Sequence, residues 1–269
     1  MIAPRPEFGA RGTVAVLTPA GNPTVEPELS VLLGRDVTML ASRMHDGAAD
    51  MIGRLVAYAS PLARWLAPLA TTPLDAIGFA CTGSAYVTPA AGAEAPLTIA
   101  VGGRDVPLWT AAGAIETALR EIGARRIALV SPYPRALTDR AVAYWQGRGF
   151  LIETVAEVAA EPGFHPIYAL RQKNVMAAIR EARRSPVDSI LVSGTGAPSL
   201  GAQLAAAAEA GPPILSSNLC LGRILHMALP GAPEMPLDRW IGSDPPWAGE
   251  LRHRFPAAIL PPVWITGGH

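Results

Sequence analysis

Two stretches of this chain repeat themselves at one fixed distance. Val14-Ala15-Val16-Leu17-Thr18-Pro19 matches Ile127-Ala128-Leu129-Val130-Ser131-Pro132, a displacement of 132 − 19 = 113 residues. Asp75-Ala76-Ile77-Gly78-Phe79-Ala80-Cys81-Thr82-Gly83 matches Asp188-Ser189-Ile190-Leu191-Val192-Ser193-Gly194-Thr195-Gly196, and 194 − 81 is again 113. Unrelated apolar runs have no reason to share a register, so the chain reads as two homologous halves related by a pseudo-twofold axis. Strand-like runs at 13–18, 37–42, 74–80, 126–131, 151–158, 187–193 and 213–216 alternate with helical ones. The alternation predicts an α/β protein, two pseudo-twofold-related lobes with mostly parallel sheets and helices on both faces.

The expected division is an N-terminal α/β lobe over 1–110, a C-terminal α/β lobe over 111–230 and a tail over 231–269, with the C-terminal helices free to cross over. Ser60-Pro61 reads as the N-cap and first residue of a helix reaching Ala70, and Trp109 to Ile122 as a helix stopped by Gly123. Ile167 to Arg184 and Leu200 to Ala210 are the other clear helices. Beyond Pro230 the chain is rich in Pro, carries Trp240, Trp247 and Trp264, and loses periodicity. This suits a strap around the body or a contact in a homo-oligomer.

Charge narrows the partners. The chain has 22 basic and 22 acidic side chains, so it lacks the net charge that marks a binder of nucleic acid or of an anionic membrane surface. Arg, Gly and Pro interrupt every apolar run before the ~20 residues of a spanning helix. Met1 to Arg11 holds Pro and Glu where a secretory signal needs an apolar core, which gives the expectation of a cytoplasmic protein with Cys81 and Cys220 as free thiols. A small-molecule enzyme is the reading that remains. His45, His165, His226, His253 and His269 have no metal-site spacing, and no serine lies in a nucleophile elbow.

In open α/β sheets ligands bind outside the carboxyl ends of the strands, which is where Cys81-Thr82-Gly83 and Gly194-Thr195-Gly196 fall. Cys81 is the candidate reactive group, whereas Cys220, at the start of an apolar helix, reads as a packed thiol. Gly83 and Gly196 allow close approach of the backbone to a carboxylate, with Thr82, Ser84 and Thr195 adding hydroxyl donors. Pro19 and Asn22 stand in the turn-rich loop after the first strand, where Asn22 is either a turn residue or a carboxylate ligand. Glu26 and Glu28 read as helix-start surface residues. Tyr133, at the matching strand end of the second half, is placed to donate a hydrogen bond to a substrate oxygen.

Thr18-Pro19-Ala20-Gly21-Asn22 with Glu26-Pro27-Glu28-Leu29, then Phe79-Ala80-Cys81-Thr82-Gly83-Ser84, resembles the maleate isomerase and arylmalonate decarboxylase branch of the aspartate/glutamate racemase superfamily. The likeness continues through Ser131-Pro132-Tyr133 and Leu191-Val192-Ser193-Gly194-Thr195-Gly196 to Leu215-Ser216-Ser217-Asn218. It implies a two-lobed enzyme that needs no cofactor and acts on a small carboxylate or dicarboxylate, with Thr82, Gly83, Tyr133, Gly194 and Thr195 lining the pocket. Racemases and maleate isomerases of this superfamily carry a cysteine at both facing strand ends; arylmalonate decarboxylases carry the second and have glycine at the first. Cys81 with Gly194 matches neither arrangement.

A two-base racemase needs thiols on both faces of its substrate, and Gly194 supplies none. Maleate-type isomerisation retains half of its apparatus. Decarboxylation to an enediolate, protonated on one face by Cys81, needs a single acid. The sequence therefore ranks decarboxylation first, isomerisation or racemisation with Cys81 as nucleophile or base second, and a catalytically silent carboxylate-binding protein third.

Overall fold

The fold is taken from a computed structural model, in which residues 7–93, 96–160, 162–163 and 165–260 are described. The first half runs β1 (Gly12–Pro19), α1 (Val25–Leu33), β2 (Val37–Met44), α2 (Met51–Ala59), α3 (Ala63–Leu66), β3 (Ala76–Phe79), α4 (Thr82–Val87), β4 (Leu97–Val101), β5 (Arg104–Thr110) and α5 (Ala111–Glu121). The second half follows with β6 (Arg126–Ser131), α6 (Arg135–Gly147), β7 (Leu151–Glu157), α7 (Gln172–Ala182), β8 (Ser189–Val192), α8 (Leu200–Ala207), β9 (Ile214–Ser216) and α9 (Ser217–Ala228). Two short helices, α10 (Leu237–Ile241) and α11 (Ala248–Arg254), come after it.

The strands form two sheets of order β2-β1-β3-β5-β4 and β7-β6-β8-β9. All pairings are parallel except β4 with β5. The repeat read from the sequence is present in the hydrogen-bond register. Val14 pairs with Ala76 and Ile127 with Ser189, and both 127 − 14 and 189 − 76 equal 113. The same displacement relates two pins at the strand starts: the Thr13 N–H donates to the Asp75 carboxylate at 2.8 Å, and the Arg126 N–H to Asp188 at 2.8 Å. At the far ends Ala80 N–H donates to Leu17 O and Ser193 N–H to Val130 O, so Cys81 and Gly194 leave their sheets at equivalent points.

Every residue of β1 is buried, as a central parallel strand covered on both faces requires. The halves are tied together by α9, which packs on α1 and α5 and beneath β3 and β5. Trp240 and Trp247, buried in the short helices, continue that tie: Trp240 Nε1 donates to Leu219 O at 3.1 Å and Trp247 Nε1 to Trp240 O at 2.9 Å. Trp264 lies outside the described residues. No described helix is long and apolar enough to cross a membrane.

Several local expectations change. Trp109 belongs to β5, paired opposite Gly78, and the following helix begins only after Thr110, whose hydroxyl accepts the Gly113 N–H at 2.9 Å. Ser60 closes α2 instead of opening a helix, and α3 stops after four residues because Pro68 lacks the N–H that continuation needs. The β4–β5 hairpin turns at Gly102-Gly103, both with positive φ. The helix expected from Ile167 starts at Gln172, since the segment before it is held as a turn by the His165 ring, whose Nδ1 accepts the N–H groups of Ile167 and Tyr168 at 3.2 and 3.3 Å.

Candidate active site

The two tripeptides displaced by 113 residues meet at one cavity of about 70 Å³, open on one side. Cys81, Thr82 and Gly83 line it from the end of β3, and Gly194, Thr195 and Gly196 from the end of β8. Pro19 and Asn22 contribute from the β1–α1 loop and Tyr133 from the β6–α6 loop. Ser84, also expected at the site, lies beneath it; its hydroxyl faces Leu55 O at 2.9 Å and Cys81 Sγ at 3.2 Å.

Burial and that contact act on the thiol in opposite directions. Ser84 has a single hydroxyl proton, which it can donate to the Leu55 carbonyl or to the Cys81 sulfur. Burial pushes the Cys81 thiol above its ordinary range, and the Ser84 hydrogen bonds oppose this only in part. Cys81 is therefore a thiol at neutral pH.

The threonine hydroxyls, expected as donors to a carboxylate, are engaged within the protein. Thr82 Oγ1 donates to Ser217 Oγ at 2.9 Å, and Thr195 Oγ1 donates to Ala80 O at 2.9 Å while accepting from Asn22 Nδ2 at 3.3 Å. Buried at strand ends, these hydroxyls satisfy the protein's own polar groups. What the tripeptides offer the cavity is peptide N–H: the first turn of α4 leaves the Thr82 and Gly83 donors without intrahelical acceptors. On the opposite side, the Ala197 N–H to Gly194 O bond closes a turn around Thr195 and Gly196. Asn22 is mainly a turn residue, its Oδ1 accepting the Thr24 N–H at 2.9 Å.

Gly194 has φ +87°, and a Cβ there would lie 2.8 Å from Pro132 Cγ and 3.0 Å from Tyr133 Oη. The volume available to a side chain at 194 is thus occupied by the Tyr133 phenol. That phenol is raised well above its usual range, chiefly by burial, and is hydrogen-bonded to Ser193. Ser193 Oγ in turn shares a 2.7 Å hydrogen bond with Tyr86 Oη. At Gly196 a Cβ would fall 2.7 Å from Tyr168, so the bare backbone is what lets that ring close the wall.

The outer wall was not foreseen. Met51, Arg54, Leu55 and Tyr58 line it from α2, Leu137 from α6, and His165, Ile167 and Tyr168 from the turn before α7. Met51, Leu55 and Tyr58 follow the i, i+4, i+7 spacing of a helix face, a signal that was available in the sequence. His165 stacks on Tyr168 with ring centroids 4.0 Å apart, and burial followed by the Arg54 charge lowers its pKa, so the ring is neutral near pH 7. Among the described residues, no Asp or Glu lines the cavity.

Glu28 is not a surface residue. It is buried and accepts from the N–H groups of Ser199 (2.5 Å) and Leu200 (2.9 Å), from Ser199 Oγ (3.0 Å) and from Asn218 Nδ2 (2.8 Å). Asn218 Nδ2 also donates to Thr195 O at 3.0 Å, so this carboxylate on α1 holds the second tripeptide in place from across the halves. Burial raises its pKa and the donors oppose the rise. Glu26 instead pairs with Arg43 near the surface. Cys220 is buried, its pKa pushed up by burial to about 12, and it does not line the cavity.

The sequence profile of the arylmalonate decarboxylase family matches residues 66–228. The maleate isomerase of Nocardia farcinica is 31% identical over 242 residues, covering 81% of this chain and 93% of that protein. Among solved structures, a cysteine-to-serine variant of the Nocardia farcinica maleate cis-trans isomerase, with a covalently bound succinylcysteine intermediate, superposes with a TM-score of 0.69 at 26% identity, covering 87% of this chain and 99% of that one. An arylmalonate decarboxylase structure gives a TM-score of 0.62 at 20% identity over 83% of this chain and 96% of that one, a likeness of fold.

Proposed function

This chain belongs to the arylmalonate decarboxylase family, and from that premise we propose that it is a cis-trans isomerase of a small unsaturated dicarboxylate, with Cys81 as the nucleophile. The observation that carries the reading is the placement of one thiol between two equivalent peptide edges, Thr82-Gly83 and Thr195-Gly196, on one cavity. A diacid whose carboxylates flank a double bond has the same approximate symmetry. Each edge takes one carboxylate through peptide N–H groups, and Cys81 faces the carbons between.

In the proposed reaction, the Cys81 thiolate adds to one alkene carbon and the π electron pair moves into the far carboxylate, giving an enediolate. Preorganised N–H groups stabilise the charge where it develops. The former double bond is now single and rotates; the enediolate then collapses and expels the thiolate, leaving the trans diacid. No net proton is consumed, so one cysteine suffices. The succinylcysteine of the Nocardia farcinica variant is the protonated form of such an adduct and supports this route.

Decarboxylation with one-face protonation by Cys81 is the second reading, and the raised thiol pKa favours it, because a proton donor must begin as the acid. It is ranked below isomerisation for two reasons. Shedding CO₂ is helped by a site that destabilises the departing carboxylate, whereas a cavity whose described wall carries Arg54 and no acid favours keeping both. The cavity, at about 70 Å³, is also smaller than the ~150 Å³ that accommodates one benzene ring. A compact diacid fills it and reaches the open side; an aryl group needs the wall to move.

The test is proton NMR in deuterated water with maleate and with phenylmalonate as separate substrates. Isomerisation by addition and elimination gives fumarate without carbon-bound deuterium, at a rate that rises with pH as Cys81 ionises. Arylacetate carrying deuterium, with gas release and a rate falling over the same pH range, would replace this reading with the decarboxylase.

A further inference from the structure

Among the described residues, Arg54 is the permanently charged side chain on the cavity wall and no carboxylate shares that wall. It projects from α2 and is half-buried. Nη1 donates to Ala48 O and Ala49 O, both at 3.0 Å, which fixes the guanidinium against the loop that opens the helix. Nε and Nη2 have no partner among the described residues, and Arg54 forms no ion pair there. Its charge is felt by three other lining groups, His165, Tyr58 and Tyr168.

A half-buried arginine ordinarily pairs with an acid, because its desolvated charge is otherwise uncompensated. Its described neighbours on the wall are a neutral histidine and phenols, and the guanidinium edge not used by Ala48 and Ala49 is suited to a planar carboxylate. A dianion between two peptide edges meets only partial charges there, so a full positive charge on the wall decides whether two negative charges are admitted. We infer that Arg54 is the specificity-determining counter-ion of this cavity, selecting dicarboxylates over monocarboxylates of the same size. The inference rests on the reading of the Cys81 cavity as a dicarboxylate site and adds the residue that sets the charge preference.

The experiment avoids turnover. Alkylation of Cys81 by iodoacetamide, a neutral reagent, is followed by mass spectrometry while saturated acids protect the thiol: succinate with two charges, succinamate of the same size with one, and butyrate. The wild-type protein is expected to need ~10- to 100-fold less succinate than succinamate for equal protection, the range for a charge-assisted hydrogen bond. In Arg54→Gln the succinate advantage falls to a few-fold while butyrate protection is unchanged, which also reports an intact cavity. Arg54→Lys keeps part of the advantage, as a point charge without the fork does. Equal protection by succinate and succinamate in the wild-type protein overturns the inference whatever the variants do, as does an undiminished succinate advantage in Arg54→Gln. Because none of these acids reacts, a protein that fails to isomerise maleate yet shows the Arg54-dependent preference would sink the proposed reaction and leave this inference standing.

Discussion

Gly194 shows most clearly how single residues shape this site. Its φ of +87° and its neighbours Pro132 and Tyr133 exclude a side chain. Beside the glycine the Tyr133 phenol occupies the volume that a side chain would take. Gly194→Ala should destabilise the protein by ~1–3 kcal/mol, from left-handed backbone and the Tyr133 contact together. Urea unfolding monitored by circular dichroism measures this; a variant as stable as the parent would mean that Tyr133 does not close that wall. The same contact makes Gly194→Cys a strained substitution, so restoring a second thiol requires Tyr133 to move. The place of Cys81 on the cavity wall was legible in the sequence because an apolar strand ending in a small, hydroxyl-bearing loop is a local signal, repeated 113 residues on. Arg54 was not, because an arginine on a surface-like helix looks the same whether it faces solvent or a cavity wall. The partners of the threonine hydroxyls were not legible for a related reason: residue type reveals a donor, and only the fold reveals its acceptor, Ala80 O for Thr195 and Ser217 for Thr82.

At the level of elements, what the sequence conveyed follows periodicity. Buried parallel strands such as Arg126–Ser131 read as short apolar runs and were located to within a residue or two of their ends. The β4–β5 hairpin escaped because its edge strand β4 is partly buried at Leu97 and Ile99, exposed at Thr98 and Ala100 and buried only at Val101, although Gly102-Gly103 was a usable turn signal. The start of α7 was displaced by the His165 ring, a tertiary device with no local signature. Glu28 makes the corresponding point for α1. Its position in a helix's first turn suggests surface, yet the helix is pressed against the second half and the carboxylate caps α8. Glu28→Gln keeps the shape but brings an amide N–H₂ toward groups that donate. It is expected to lower stability by ~1–3 kcal/mol, and to speed amide exchange in residues 194–200 before the rest of the second sheet, read by hydrogen–deuterium exchange. Unchanged exchange in that loop would remove Glu28 from the account of how the second tripeptide is positioned.

Across the whole molecule, the repeat explains why there is a site where the halves meet. Two copies of one strand-loop-helix unit, pinned alike by Asp75 and Asp188, bring their strand ends to one cavity. Divergence then leaves a thiol at one end and a phenol-backed glycine at the other. We propose that the chain divides into lobes near residue 110, with α9 crossing back onto the first sheet so that neither half closes its side of the site alone. The central claim is that Cys81 bonds covalently to the substrate's alkene carbon. Intact-protein mass spectrometry after acid quenching of the enzyme with maleate tests it most directly. The account predicts a mass increase of one diacid, mapped to the Cys81 peptide, absent from Cys81→Ala and retained in Cys220→Ala. Maleate turnover by Cys81→Ala at the parent rate, or turnover by the parent with no adduct at any quench time, would contradict it.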